Sequence, residues 1–134
     1  MRITIDTNIL ISATIFPNEL FVKQFADILN QHTLVLPTVV IEEFLEVASR
    51  KFPHKLDSYH DFFESLDYEL FPTPETYCGE RYPEIRDKKD EPILVSLIQS
   101  DVDAFITGDA DFHALLIDRP LIMRISEFHS LHCR

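Results

Sequence analysis

The sequence predicts an α/β fold built on a parallel sheet. Short apolar runs of β-favouring residues alternate with longer stretches of helical spacing, which is the order of elements such folds display. The composition agrees: 46% of the residues are hydrophobic, eleven are Phe, and no long polar or low-complexity tract interrupts the chain. At 134 residues the chain fits one domain, long enough to bury one core and too short for two.

The elements follow in order. Strands are expected at residues 3–5, 33–36, 68–71, 104–107 and 121–123. Helices are expected around 7–15, 19–31, 38–52, 55–66, 91–100 and 111–117, with a short last one near 126–132. The opening run from Met1 to Ile5 imitates a signal peptide, but Asp6 and Asn8 interrupt it and no small-residue cleavage site follows. In the third helix Val39, Val40 and Val47 form an apolar stripe. The fifth carries Pro92 in its first turn, where proline is welcome, and Ile93, Leu94, Leu97 and Ile98 behind it. Pro72, Pro74 and Pro83 make 72–83 a surface connection. Neither an internal repeat nor a linker is visible, so residues 1–134 are expected to form a single domain.

Charge and cysteines narrow the classes. A formal charge of −11 argues against holding nucleic acid passively by surface charge, though not against acting on it. Cys78 and Cys133 lack metal-binding or redox spacing. With no segment of membrane-spanning length, they point to the reducing cytoplasm and no obligatory disulfide.

The acids carry the chemistry. Asp6 follows the first predicted strand, Glu43 lies on the third helix, Asp90 opens the fifth, and Asp109 and Asp111 follow the fourth strand within Thr107-Gly108-Asp109-Ala110-Asp111-Phe112. Two carboxylates about 5 Å apart repel by roughly 3 kcal/mol at an effective dielectric near 20, so gathered acids raise one another's pKa or recruit a hard divalent cation. In an open parallel sheet the ligand site lies beyond the carboxyl ends of the strands, which is where Asp6 and Asp109 belong.

Each position also has a plainer explanation. Asp6 and Asp90 could cap the helices they precede, and Asn8 could serve a turn. Glu43 faces the apolar stripe, whereas Glu42 and Glu46 step toward Arg50 along a solvated face. Asp87 is a nearby alternative to Asp90. Of Asp109 and Asp111, one could bind metal while the other caps a helix. Thr107 could orient Asp109 or a water, or simply end a strand. Gly108, one of only two glycines, marks either a close backbone approach to a ligand or a tight turn. His113 lies close to the acidic turn and could touch substrate, but is expected to pack or face solvent. His129 and His132, beside Cys133, have metal-compatible spacing, but their terminal position favours a frayed surface.

Taken together, Asp6-Thr7-Asn8-Ile9-Leu10, Ile41-Glu42-Glu43-Phe44-Leu45, Asp90 before an Ile-Leu helix and Ile106-Thr107-Gly108-Asp109-Ala110-Asp111-Phe112 resemble the PIN-domain ribonucleases. Within that family the chain looks like the prokaryotic single-domain toxins of toxin–antitoxin pairs. The resemblance implies a three-layer α/β/α sandwich with strand order 3-2-1-4-5 and cleavage of single-stranded RNA dependent on Mg²⁺ or Mn²⁺. It implies Asp6, Glu43, Asp90 and Asp109 as the catalytic acids, with Asp6, Asp90, Asp109 and the accessory Asp111 toward the metal; from the residues themselves, Asn8 could hold Asp6 or a metal-bound water, and Thr107 could support the site. Arg86, Lys88 and Lys89 are candidate phosphate contacts; Lys88 and Lys89 stand where many relatives carry Pro or further acids.

Other readings are an RNA-processing nuclease without an antitoxin, a catalytically inactive binding or regulatory module, and a nuclease for structured DNA, for which the chain lacks room. A receiver-like phosphorylation module would need a Lys after the last strand, where Arg124 stands. The expected partners are RNA, a small antitoxin and a second copy of the chain. Phe16, Leu20, Phe21, Phe25, Phe44, Phe52, Phe62 and Phe63 offer much large apolar surface for one small core, so some are expected at an interface.

Overall fold

A computed structural model describes residues 1–15 and 18–134. Five parallel strands, β1 (Arg2–Ile5), β2 (Thr33–Pro37), β3 (Glu69–Phe71), β4 (Ala104–Ile106) and β5 (Leu121–Met123), form one sheet in the order β3-β2-β1-β4-β5. The register sets Ile3 beside Leu34, Ile5 beside Ile106, and Phe105 beside Ile122. Among the described residues seven helices connect and flank the strands: α1 (Thr7–Ile15), α2 (Glu19–Gln31), α3 (Thr38–Lys51), α4 (Leu56–Ser65), α5 (Glu91–Gln99), α6 (Ala110–His113) and α7 (Ile125–His132). The architecture is the expected three-layer α/β/α sandwich.

The central strands are buried along their length, as a sheet covered on both faces requires. The one polar side chain within β1 that is fully buried, Thr4, donates its hydroxyl to the Val35 carbonyl at 2.8 Å, which removes the cost of an unpaired polar group. Because β2 and β4 both flank β1, the winding reverses at β1. The crevice between the carboxyl ends of β1 and β4 is therefore the topological switch point.

The helices obey local chemistry. Asn18 accepts the Phe21 amide at 2.9 Å and starts α2. Pro53 lacks an amide hydrogen, so α3 stops before it and a 3-10 turn, Pro53–Lys55, leads into α4. The expected connection at 72–83 is irregular apart from a 3-10 turn at Gly79–Arg81. Asp101, after α5, takes a left-handed φ of 56°, which aspartate tolerates better than most residues.

Several expectations need correction. The helix expected at 111–117 is the four-residue α6; Phe112 is its one buried side chain, too little apolar anchorage for further turns, and Leu116 is fully exposed. The carboxyl terminus is not frayed. Phe128 is buried, His129 Nε2 meets Asp27 Oδ2 at 2.8 Å, and the His132 carbonyl accepts His32 Nε2 at 2.9 Å. Arg134 and Gln31 exchange two further hydrogen bonds, so α7 is tied to α2. His129 thus docks α7, the His132 ring lies on Phe128 at 5.0 Å, and among the described residues neither belongs to a metal-compatible group. Gly108 has neither a positive φ nor a crowded position, since an added Cβ would meet Arg124 Nη1 only at 3.7 Å; the tight-turn reason for glycine does not hold.

The aromatic side chains largely serve the interior. Phe25 and Phe44 are buried, while Phe21, Phe52, Phe62 and Phe63 pack partly buried against the core. Phe44 meets the Phe63 ring edge-on at 4.7 Å and stacks on Phe62 at 6.1 Å between centroids. Leu20, with Val22, Leu45 and Leu56, is exposed. Phe16 lies outside the described residues.

Candidate active site at the carboxyl edge of the sheet

The backbone places Asp6 where β1 gives way to α1. Its amide donates to the Ile106 carbonyl of β4 at 2.9 Å, and its carbonyl accepts the amides of Ile9 and Leu10. The side chain reaches across to β4, where its Oδ2 accepts the Thr107 hydroxyl at 2.6 Å. The residue is only 6% exposed. Burial pushes the Asp6 carboxyl above its usual range; the Thr107 hydroxyl and the Thr7 amide oppose that rise, and the charge of Asp109 adds to it.

Thr107 is the hinge pin of the crevice. Its hydroxyl donates to Asp6 and accepts the Asp109 amide at 3.0 Å, so one fully buried oxygen fixes both acid-bearing segments. Asp109 in turn uses Oδ1 to accept the Asp111 amide at 2.9 Å, capping α6. His113 Nε2 closes the same turn on the Thr107 carbonyl at 2.8 Å and must donate there, because a carbonyl only accepts. That structural duty settles the choice between packing and solvent for His113.

Asp90 stands at the start of α5 without capping it. The neighbouring Asp87 caps the short 3-10 turn Lys88–Asp90 that leads into α5, accepting the Lys89 amide at 3.1 Å, while Asp90 makes no side-chain cap hydrogen bond. Its carboxyl is pushed up to about 7 by burial first, then by the charges of Asp109, Asp87, Glu43 and Asp6. Glu43 approaches from α3, which packs against α1 and α5. Half-burial raises its pKa, with further contributions from Asp6, Glu46 and Asp109. The solvated face is also as expected: Glu46 is paired with Arg50 at 2.9 Å.

Four separate segments thus bring Asp6, Glu43, Asp90 and Asp109 within electrostatic reach of one another. Carboxylate oxygens of Asp90, Asp109 and Asp111 lie within 4.8 Å of one another, a spacing that one oxygen-seeking cation can span. Asp6 is joined to that group through the Thr107 hydroxyl rather than lying in it. Asn8 is exposed on the first turn of α1, and its side chain has no hydrogen-bond partner among the described residues. Arg86 is drawn in by Asp111: Nε donates to Oδ1 at 2.8 Å and Nη2 to Oδ2 at 2.9 Å. Lys88 leans on Glu91 at 3.8 Å, and Lys89 is exposed. Beside these residues a concavity of about 520 Å³ runs along Gly79, Tyr82, Lys88 and Glu91.

One feature escaped the sequence. Thr7 is fully buried, and its Oγ1 is a buried side-chain oxygen without a hydrogen-bond partner among the described residues. Threonine and serine inside a helix commonly bond the carbonyl one turn back, as Thr14 does to Leu10 and Ser12 to Asn8. Thr7 opens α1, so no helical turn precedes it. An unpaired buried hydroxyl costs about 1–3 kcal/mol, and here it adjoins Asp6 in the acid-rich crevice. Only the helix boundary, which the sequence did indicate, could have flagged it.

Comparison with known proteins agrees with this geometry. The fold is similar to a solved structure described as VapBC2 from Rickettsia felis bound to a DNA fragment from their promoter, with a TM-score of 0.69 and 18% sequence identity over 92% of this chain and 98% of that one. No curated protein matches. The family model for the PIN domain matches residues 3–116, most of the chain and all four acid-bearing segments. This chain belongs to the PIN domain family.

Proposed function

We propose that the protein is a metal-dependent endoribonuclease that cleaves single-stranded RNA and serves as the toxin of a toxin–antitoxin pair in the cytoplasm. The observation that carries the nuclease reading is the convergence of unpaired acidity at the switch point. Asp6, Glu43 and Asp90 are all held above the ordinary carboxylate range, and a cation would relieve that cost.

The donor set fits Mg²⁺ or Mn²⁺. The converging groups, Asp90, Asp109 and Asp111, offer carboxylate oxygens with no Cys or His among them. Asp90 and Asp109 would hold the ion, Asp111 lies beside them paired with Arg86, and Asp6 and Glu43 complete the negative field. When bound, such an ion neutralises phosphodiester charge and lowers the pKa of attacking water. The chain's own residues supply positioning: Thr107 fixes Asp6 against Asp109, and Glu43 and Asp6 offer carboxylates of raised pKa to accept a proton from water. Arg86, Lys88 and Lys89 flank the acids and provide the positive charge that an RNA backbone needs in a protein of net charge −11.

The toxin reading draws on the likeness to a toxin–antitoxin structure and on the exposed Leu20, Val22, Leu45 and Leu56, apolar surface suited to a second copy and to a small antitoxin. An arginine from that antitoxin would fit the acidic crevice and block it by charge pairing.

The test is cleavage of single-stranded RNA by the purified protein in Mn²⁺, with EDTA and Asp109→Asn as controls. Cleavage should vanish in both; activity that persists in EDTA would remove the metal mechanism. Co-purification with the product of the adjacent gene tests the toxin assignment. Sedimentation at micromolar concentration tests the dimer, which a strictly monomeric species would exclude.

A further inference from the structure

The three carboxylates that converge are not equivalent. Asp90 makes no side-chain cap bond, and Asp109 commits only Oδ1 among the described residues, leaving Oδ2 open there. Asp111 has both oxygens engaged, each accepting one N–H of Arg86 in a parallel fork. This two-bond geometry is the strongest arrangement available between a carboxylate and a guanidinium. A cation that took Asp111 as a ligand would have to compete with that fork, whereas Asp90 and Asp109 can be approached at open oxygens.

The arginine's own surroundings point the same way. Its side chain is 79% exposed while that of Asp111 is 16% exposed, so the partner on the protein side is the fixed one. Nε and one N–H of Nη2 go to Asp111, which leaves both N–H groups of Nη1 and the second of Nη2 for another acceptor. Arg86 also lies within electrostatic reach of Asp109, at the edge of the crevice. A long exposed side chain loses considerable rotamer freedom when a ligand orders it; one already held by a carboxylate loses less.

We propose that Asp111 is a positioning residue for Arg86 and not a ligand of the cation, and that the pair holds a guanidinium at the rim of the site to bind a non-bridging phosphate oxygen of the RNA backbone. The inference rests on the nuclease reading above. Asp90 and Asp109 then serve the ion, and Asp111 serves the arginine.

The experiment measures Mn²⁺ affinity by calorimetry and, separately, kcat and KM on a single-stranded RNA of mixed sequence, for the wild type, Asp90→Asn, Asp109→Asn, Asp111→Asn, Arg86→Gln and the Asp111→Asn/Arg86→Gln double variant. Asp111→Asn should bind Mn²⁺ within about twofold of wild type, while Asp90→Asn and Asp109→Asn weaken it by about tenfold or more. Asp111→Asn and Arg86→Gln should each raise KM about five- to twentyfold with kcat nearly constant, and the double variant should be no worse than either alone. Arg86→Lys, which keeps the charge and loses the fork, should recover only part of the affinity.

A loss of Mn²⁺ affinity in Asp111→Asn matching that of Asp90→Asn would overturn the inference and leave the nuclease reading intact. Additive losses in the double variant would also overturn it. Should Asp111→Asn fail to fold, Arg86→Gln decides alone: unchanged KM sinks the proposal. If the wild type neither binds Mn²⁺ nor cleaves RNA, it is the underlying nuclease reading that fails.

Discussion

The two ends of the sheet carry acids of opposite character. At the amino end, Asp103 accepts the Arg2 amide at 2.8 Å, and Arg119 reaches both Asp101 and Asp103 at 2.8 Å. Arg2 forks onto Glu69 at 3.0 and 3.2 Å and donates to the Ser100 carbonyl. The Arg2 amide first, and then Arg119, hold the Asp103 carboxyl below its usual range. At the carboxyl end, Asp6, Glu43 and Asp90 are all raised, with burial as the leading cause in each. The same residue types thus stabilise the fold at one edge and burden it at the other. Crowded and buried among neighbours of like charge, carboxylates make a site; forked onto arginines, they tie segments together.

Removing one acid from each end puts this contrast under the greatest strain. Asp90→Asn should reduce RNA cleavage by about 100-fold or more at little cost to folding, since the change deletes a repelled charge with nearly the same volume. Asp103→Ala should do the reverse. It strips the Arg2 amide and Arg119 of their acceptor and costs about 1–3 kcal/mol of stability, read by urea denaturation, while the activity of the folded fraction stays close to wild type. Loss of activity in folded Asp103→Ala would show that the two ends are coupled.

The pattern of acids was visible in the chain, but the division of labour among them was not. Strand and helix positions followed from apolar spacing because the long amphipathic helices and buried parallel strands leave strong periodic signals. Asp109 and Asp111, two residues apart, could not be told apart in sequence; what separates them is that Arg86, distant in the chain, lies against one of them. Asp87 and Asp90 likewise needed the 3-10 turn between them to show that Asp87 caps that turn and that the Asp90 side chain caps nothing. The docking of α7 onto α2 was illegible because it depends on pairs such as Asp27 with His129, contacts between opposite ends of the chain that no local spacing encodes.

A milder change separates the ends by pH. Because Asp90 holds its proton up to about 7, protons and cations compete for the same oxygen. Mn²⁺ affinity should therefore fall as pH drops below about 7, by up to about tenfold per pH unit, and level off above it. Calorimetry across this range checks the claim, and affinity independent of pH would mean that Asp90 is not a ligand. The amino-end network should show no such response, since a carboxylate held low, as Asp103 is, keeps its charge through that interval.

The smallest effect is on the stability of the metal-free protein, and its sign is fixed by linkage. The folded-state pKa of Asp90, about 7, lies above the ordinary value of 3.8, so between those values the native state binds more protons than the unfolded chain. The stabilisation this provides is complete below about pH 4 and is lost as pH rises through about 7. Asn has no proton to lose. In EDTA at about pH 8, Asp90→Asn should melt higher than wild type by roughly 3–5 °C, equivalent to about 1 kcal/mol once solvent screening of this part-exposed group is allowed for. Near pH 4 the two should melt together, because the wild-type carboxyl is then neutral as well. Saturating Mn²⁺ should reverse the order at pH 8, since the ion binds the folded wild type and adds its binding energy to that state alone. Calorimetric melting of both proteins under these three conditions tests each of these signs. A variant that melts lower than wild type at pH 8 in EDTA would mean that Asp90 supports α5 after all, and the carboxyl edge would then be stabilised by its acids much as the amino edge is.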